Sequence, residues 1–229
     1  MPGEQRRGSQ PPILRLPVAT STMDVAARLA ALGYPPWTTV MARVQTRGRG
    51  RRGHAWRSPP GGLWMSMILP PGDPVQQQYT LGAAALKALL EVGAPVEARW
   101  PNDIYAAGKK LAGVLVECTG DSCIGGIGVN VSNPPPTRRA TSLSSLGVKA
   151  GAEALALQIR LEARLLASRP REALAVVNRH LYRGPSWVVM KGHASLCRPL
   201  KALPQGLLAE CPGGIVLLEP WVVERIYYP

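Results

Sequence analysis

Gln45-Thr46-Arg47-Gly48-Arg49-Gly50-Arg51-Arg52-Gly53 constrains the rest of the chain, because it alternates glycine with guanidinium groups. Glycine opens backbone conformations closed to other residues and lets the main chain approach a ligand. Arginine offers a planar fork of donors matched to phosphate or carboxylate oxygens. Standing alone, such a run reads equally well as a disordered nucleic-acid tail. Here the flanks are not tail-like. Thr38–Val44 reads as a strand leading in, and after the turn residues Ser58–Gly62 comes Leu63–Leu69, an apolar strand candidate. A strand that ends in a Gly-rich loop presents backbone amides to an anion.

At 229 residues and 46% hydrophobic content the chain can bury a substantial core, so one main domain with a small appendage is expected. The formal net charge of +13 attracts nucleotides, acidic protein partners or nucleic acid, and does not choose among them. No uninterrupted apolar stretch approaches the roughly 20 residues that span a bilayer. The polar, Pro-rich segment Met1–Pro12 lacks the apolar core of a signal peptide, so a cytoplasmic protein without membrane partners is expected. Cys118, Cys123, Cys197 and Cys211 show neither a CxxC pair nor zinc-site spacing with histidine. Core thiols are favoured over metal ligands, with Cys118–Cys123 and Cys197–Cys211 disulfides left open.

Along the chain, Met1–Pro12 reads as a frayed tail and Ile13–Val18 as a first strand. Ser21-Thr22-Met23-Asp24 has the hydroxyl and the acid of a helix start, with Val25, Ala26, Leu29 and Leu32 as an apolar stripe and Gly33 as the stop. On local grounds Ser21 and Thr22 do no more than cap. Asp73 and Pro74 open a second helix that buries Leu81, Ala85, Leu89 and Val92. Val96–Trp100 is a strand running into the polar turn Trp100–Tyr105, followed by Gly108-Lys109-Lys110 and the apolar run Leu111–Val116, the pattern of a hairpin. Gly113 inside that run marks a close backbone approach. Ile124–Val131 is a glycine-punctuated strand. Ala152–Leu166 and Pro170–Leu181 have helical periodicity, with Leu155, Ile159, Leu165, Leu174, Val177 and Leu181 facing inward. Beyond Gly184 the pattern changes to short strands, Trp187–Met190, Gly206–Glu210 and Gly213–Leu218, joined by Pro/Gly turns. The expected division is a tail at 1–12, a main domain at 13–183 and a small β domain at 184–229.

With Gly48-Arg49-Gly50-Arg51-Arg52-Gly53, Trp100-Pro101-Asn102-Asp103, Lys110-Leu111-Ala112-Gly113 and Gly126-Ile127-Gly128-Val129-Asn130 in this order, the chain resembles the biotin protein ligases. The resemblance covers roughly Leu14–Arg183 and extends more loosely past Trp187. It implies an α+β fold: a mixed β-sheet with helices packed on it, as in class II synthetase-like biotin/lipoate ligases, plus a small SH3-like β domain at the C-terminal end. The implied activity uses ATP to convert biotin to biotinyl-5′-AMP and pyrophosphate, then transfers biotin to a lysine of a biotin carboxyl carrier protein.

By the same resemblance Arg49, Arg51, Lys110 and Asp103 are the catalytic residues. Ser21, Thr22, Gln45, Gly48, Arg49, Lys110 and Gly113 line the biotin site, and Arg51, Arg52, Trp56, Asn102 and Asn130 the nucleotide site. Asp103 is either a Mg²⁺ ligand or the holder of Lys110. Attack of one anion on another requires charge neutralisation, which these cations would supply. The Arg/Gly loop is expected to close over the adenylate and exclude water. Met23, Arg47 and His54-Ala55 depart from the family pattern. The chain begins almost at the catalytic region, implying a ligase without DNA-binding helices, and homodimers occur among relatives. Two rivals stand beside this reading: a basic nucleic-acid-binding module, and a lipoate ligase-like enzyme of the same fold.

Overall fold

The computed structural model describes residues 10–120, 122–135 and 137–228. The expected tail therefore lies outside the described residues except for Gln10–Pro12, which are held in place. The Pro11 carbonyl accepts from Arg160 Nη2 and the Pro12 carbonyl from the Thr39 amide.

A mixed seven-stranded sheet forms the centre, in the order β1-β2-β3-β7-β6-β5-β4. β1 (Ile13–Ala19) and β2 (Thr39–Gln45) are parallel, joined by α1 (Thr22–Ala31); every other neighbouring pair in this sheet is antiparallel. β3 (Leu63–Leu69) lies third from the edge and is buried along its whole length, which explains its unbroken apolar run. β4 (Val96–Arg99), β5 (Asp103–Ala106) and β6 (Lys109–Thr119) make the expected hairpin region, and β7 (Ser122–Val129) returns between β6 and β3. α2 (Pro74–Glu91) starts as anticipated, with the Asp73 carboxylate accepting from the Gln76 amide and Pro74 at the first helical position.

The two faces of the sheet are covered unequally. α2, α3 (Ala152–Ala167) and α4 (Pro170–Arg179) bury one face, using Met65, Met67, Leu69, Ile127 and Val129 from the strands. On the other face α1 covers only the middle, packing Met23 and Ala26 on Val40, Ile68 and Ile124. The same face is carried by Ser66 and Gly126 against the start of α1 and by Gly113 and Gly128 beyond it, whose small size leaves a floor without bulky groups. That floor is where the functional site lies.

A second, five-stranded antiparallel sheet follows, in the order β11-β10-β9-β8-β12. β8 (Ser186–Met190), β10 (Gly206–Cys211) and β11 (Gly214–Leu218) match the expected strands. β9 (His193–Leu203) and β12 (Val223–Tyr227) lack a strand signal in the sequence, because Pro199 interrupts one and the adjacent charges Glu224-Arg225 break the apolar pattern of the other. The sheet is less an appendage than a second wall. Val188, Ala202, Leu207, Leu218 and Val223 belong to the same buried cluster as α2, the Tyr79 hydroxyl donates to the Gly206 carbonyl (2.8 Å), and Asn178 pairs with the backbone of Ala202.

Several local expectations are corrected. Leu32 and Leu165 are 75% and 45% exposed rather than inward-facing, Leu32 because it caps α1 after its last turn. The cysteines are not free thiols. Register sets Cys118 opposite Cys123 across the β6–β7 hairpin, and Cys197 and Cys211 are linked between β9 and β10; both pairs are disulfides.

Candidate active site

The glycine floor forms the base of a cavity of about 470 Å³, lined by α1, the Arg/Gly loop, the Trp100–Asp103 turn, β6, β7 and the segment Glu224–Tyr228. Three side chains order the end nearest α1. Ser21 caps the helix, its hydroxyl accepting from the Met23 amide (3.3 Å), so the capping reading holds while the residue also lines the cavity. Gln45 Oε1 accepts from the Thr22 amide (2.8 Å) and hydroxyl (3.0 Å), and Gln45 Nε2 donates to Ser58 Oγ (2.8 Å). The Thr22 hydroxyl also meets Ser66 Oγ at 2.8 Å. The result is a fixed array of neutral donors and acceptors, suited to a polar uncharged group. Ser66 was missed from sequence, although it is the lone polar residue in an apolar strand.

At the middle of the floor Gly113 and Gly128 are register partners on adjacent strands, and the Trp56 indole lies on them. A Cβ on Gly128 would come within 2.5 Å of Trp56 Nε1, so only glycine leaves the ring this seat. Trp56 Nε1 is buried and has no hydrogen-bond partner among the described residues. Lys110 Nζ stands 5.1 Å from the indole centroid, a cation–π distance, and is paired to Asp103 Oδ2 at 2.7 Å.

The opposite end is cationic. Arg51 Nη1 donates to Asn102 Oδ1 (3.3 Å) and Nη2 to the Pro220 carbonyl (3.0 Å); burial, then the neighbouring Arg52, lower its pKa, with Asp103 opposing. Arg52 donates to the Val223 carbonyl (2.7 Å) and adopts a left-handed conformation (φ 54°) just before Gly53 (φ 74°), which folds the loop back towards His54. Arg49 is held differently, at the rim, donating to Asp24 (2.5 Å) and Glu117 (2.9 Å), both partly exposed.

Arg49, Arg51, Arg52, Lys110, Asp103, Asn102, Ser21, Thr22, Gln45, Trp56 and Gly113 thus all line one cavity. Two predicted residues do not. Gly48 packs outside it, where a Cβ would meet the Trp56 carbonyl at 2.4 Å. Asn130 is buried, with both ends of its amide used: Nδ2 donates to the Thr141 carbonyl (3.0 Å) and Oδ1 accepts from Asn133 (3.0 Å). It holds the loop after β7. The Glu224–Tyr228 wall was also missed, because its strand was not recognised. A resident Mg²⁺ does not fit this donor set. The Asp103 carboxylate is already engaged, with Oδ2 on Lys110 and Oδ1 accepting from Asn102 Nδ2 (2.8 Å), and no group of three His, Cys, Asp or Glu that could hold a metal occurs among the described residues.

The mixed sheet's glycine floor thus carries neutral hydrogen-bonding groups at one end and cations at the other. The family model described as biotin/lipoate A/B protein ligase matches residues 16–132, just over half of the chain, and the chain belongs to that family. Among relatives it is similar to the bifunctional ligase/repressor BirA of Bacillus subtilis (40% identical over 129 residues, 52% of this chain and 40% of that protein). It is similar too to the biotin–(acetyl-CoA-carboxylase) ligase of Mycobacterium tuberculosis (36% over 146 residues, 57% of this chain and 54% of that protein). The matches therefore span about half or less of these relatives. Among solved structures, the biotin protein ligase of Aquifex aeolicus in complex with biotin and ATP superposes with a TM-score of 0.82 at 26% identity, covering 95% of this chain and 99% of that one. The ligase of Leishmania major in complex with biotinyl-5-AMP gives 0.68 at 26% identity, covering 92% and 100%.

Proposed function

We propose that this chain is an ATP-dependent biotin protein ligase. The observation that carries the reading is that Arg51 and Lys110, each held from the Trp100–Asp103 turn, face one cavity whose far end is a neutral hydrogen-bonding array with Arg49 at its rim. That array, Thr22, Gln45 and Ser66, fits an uncharged ureido ring, and the glycine floor with Trp56 fits its thiolane and chain. The carboxylate at the end of the chain would then lie beside Lys110.

In the first step a carboxylate oxygen attacks the α-phosphorus of ATP. The bond from α-phosphorus to its bridging oxygen breaks, pyrophosphate leaves with the electron pair, and biotinyl-5′-AMP remains. Both reactants are anions, so Lys110 and Arg51 must lower their repulsion and bear the charge on the phosphoryl oxygens in the transition state. Asp103 fixes Lys110 in place, and Asn102 does the same for Arg51. In the second step the ε-amine of a lysine on a biotin carboxyl carrier protein attacks the acyl carbon. AMP departs, an amide forms and the amine proton is released. Any Mg²⁺ would arrive with the triphosphate as part of the substrate.

Residues 13–183 would carry out this chemistry, with 184–229 closing the nucleotide end. Among the described residues no helix is long and apolar enough to cross a membrane. The test is biotin-dependent exchange of labelled pyrophosphate into ATP, run beside lipoate as the competing acid. Exchange with biotin and none with lipoate is expected; exchange with lipoate alone would transfer the activity to the other branch of the family, and exchange with neither would defeat the reading.

A further inference from the structure

Arg99, the last residue of β4, is a guanidinium only 3% exposed. Its Nε and Nη2 donate to Glu97 Oε1 (3.0 and 2.8 Å), while Nη1 has no partner among the described residues. Three tyrosine rings close around it, with Cζ lying 4.4 Å from the centroid of Tyr105, 4.0 Å from Tyr182 and 4.7 Å from Tyr228. The rings also touch one another, Tyr228 meeting Tyr105 at 5.9 Å and Tyr182 edge-on at 5.6 Å. A charge so enclosed loses its hydration, and a well-packed apolar residue commonly serves stability as well or better. Stability alone therefore does not account for an arginine here.

Its position does. Arg99 is the register partner of Asp103, and the carbonyl of the next residue, Trp100, accepts from the Tyr228 hydroxyl (2.5 Å). Trp100 opens the turn that carries Asn102 and Asp103, the residues that hold Arg51 and Lys110. The returning segment that ends in Tyr228 also supplies the Pro220 carbonyl to Arg51 and the Val223 carbonyl to Arg52. By contrast, the Thr22, Gln45 and Ser66 array is anchored through α1, β2 and β3 and shares no hydrogen bond with this cluster among the described residues.

We propose that Arg99 and Tyr228 are positioning residues that clamp segment 220–228 to the Trp100–Asp103 turn and so fix the spacing of the nucleotide-side cations. The inference rests on the ligase reading and adds to it a separable effect: the clamp governs ATP through Arg51 and Arg52, and leaves in place the Thr22, Gln45 and Ser66 array that would hold the biotin ring. Tyr228→Phe removes one hydrogen bond and should raise the KM for ATP about fivefold. KM for biotin should stay within about twofold of wild type. Arg99→Met should raise the KM for ATP about tenfold, and Arg99→Lys should recover to within about threefold of wild type, because an ammonium keeps the cation–π contacts. Hydrogen exchange of the 102–104 amides should accelerate in Tyr228→Phe while the amides of α1 do not change. Equal rises in both KM values, lysine no better than methionine, or unaltered exchange at 102–104 would each overturn the clamp. Should wild type catalyse no biotin-dependent exchange of pyrophosphate, the ligase reading fails separately. The amide exchange then decides the clamp alone: acceleration confined to 102–104 sustains it and no change overturns it.

Discussion

The Arg/Gly loop and the Trp100–Lys110 hairpin bring cations to the same cavity but hold them by different means. Lys110 sits on a sheet strand, paired at 2.7 Å with an Asp103 that is itself fixed by Asn102, and its side chain is 30% exposed over the Trp56 ring. Arg49 sits on a loop, and its partners Asp24 and Glu117 are carboxylates at the rim. Exposed pairs of that kind contribute only about 0–1 kcal/mol, so the contact is readily exchanged for a substrate oxygen. The hairpin is pre-organised and the loop is parked. Arg51 is intermediate: it belongs to the loop in sequence and to the hairpin by its bond to Asn102. A cation's worth to the reaction should therefore follow how it is held rather than how close it lies in sequence to the motif.

The largest effect should come from Lys110→Ala, which removes a pre-placed charge and leaves Asp103 unpaired. A charge-assisted bond contributes about 1.5–3 kcal/mol, and the stranded Asp103 charge adds to the loss, so pyrophosphate exchange should fall towards the upper end of that range, about a hundredfold. A loss below about threefold would mean that the hairpin is not the organised half of the site. Arg51→Ala should cost about ten- to a hundredfold, mainly in the ATP-dependent terms, and Arg49→Ala about tenfold. If Arg49→Ala proves the more damaging of the two, the ordering by mode of attachment is wrong.

Gly128→Ala sharpens the contrast from the side of the floor. Its methyl meets the rigid Trp56 ring, whereas the methyl of Gly126→Ala meets the flexible end of Met23, Sδ at 2.8 Å. Gly128→Ala should lower kcat/KM about tenfold while Gly126→Ala changes it by less than about threefold, since a thioether side chain repacks and an indole does not. Similar losses in both would show that the ring's seat is not the determinant. Asp24→Asn together with Glu117→Gln should release Arg49 and change exchange activity by no more than about threefold. Proteolysis around Arg47–Arg52 should become faster without ligand and slow again with biotin and ATP. Protection unaltered by the double substitution would mean that the loop is held by Arg51 and Arg52 alone.

Much of this arrangement was legible in the sequence, unevenly. Elements with a strong period or a strong stop signal were read to within a residue or two: Asp73-Pro74 at α2, Leu63–Leu69 at β3, Ser21 at α1. The cations of the site were legible because guanidinium groups among glycines, and a lysine beside a polar turn, have few uses. What was not legible depended on contacts distant in sequence. Tyr228 meets Trp100 across 128 positions, and no local pattern in Glu224–Tyr228 announces that it walls a cavity. The contacts of Asn130 are hidden for a related reason, since its partners Thr141 and Asn133 are brought to the two ends of the amide only in the folded loop. The disulfides likewise required the register of β6 against β7 and of β9 against β10.

The smallest expected effect concerns the wall that joins the two sheets. Burial pushes the Tyr79 hydroxyl up to about 12, against the opposing effect of the bond it accepts from Trp100 Nε1, and burial also raises Tyr105 and Tyr228 above the usual tyrosine value. Below about pH 10 these tyrosines are neutral in both folded and unfolded chains, so pH has no leverage through them. Above it the unfolded chain loses protons first, and stability must fall as pH rises from about 10 towards 12. Denaturant midpoints measured from pH 9 to 11.5 should decline in wild type and decline less in Tyr79→Phe, with phenolate absorbance appearing together with unfolding. Phenolate that develops fully in the still-folded protein would show that the interface between the sheets is wet, and would reduce the five-stranded sheet from a wall of the site to a loosely attached neighbour.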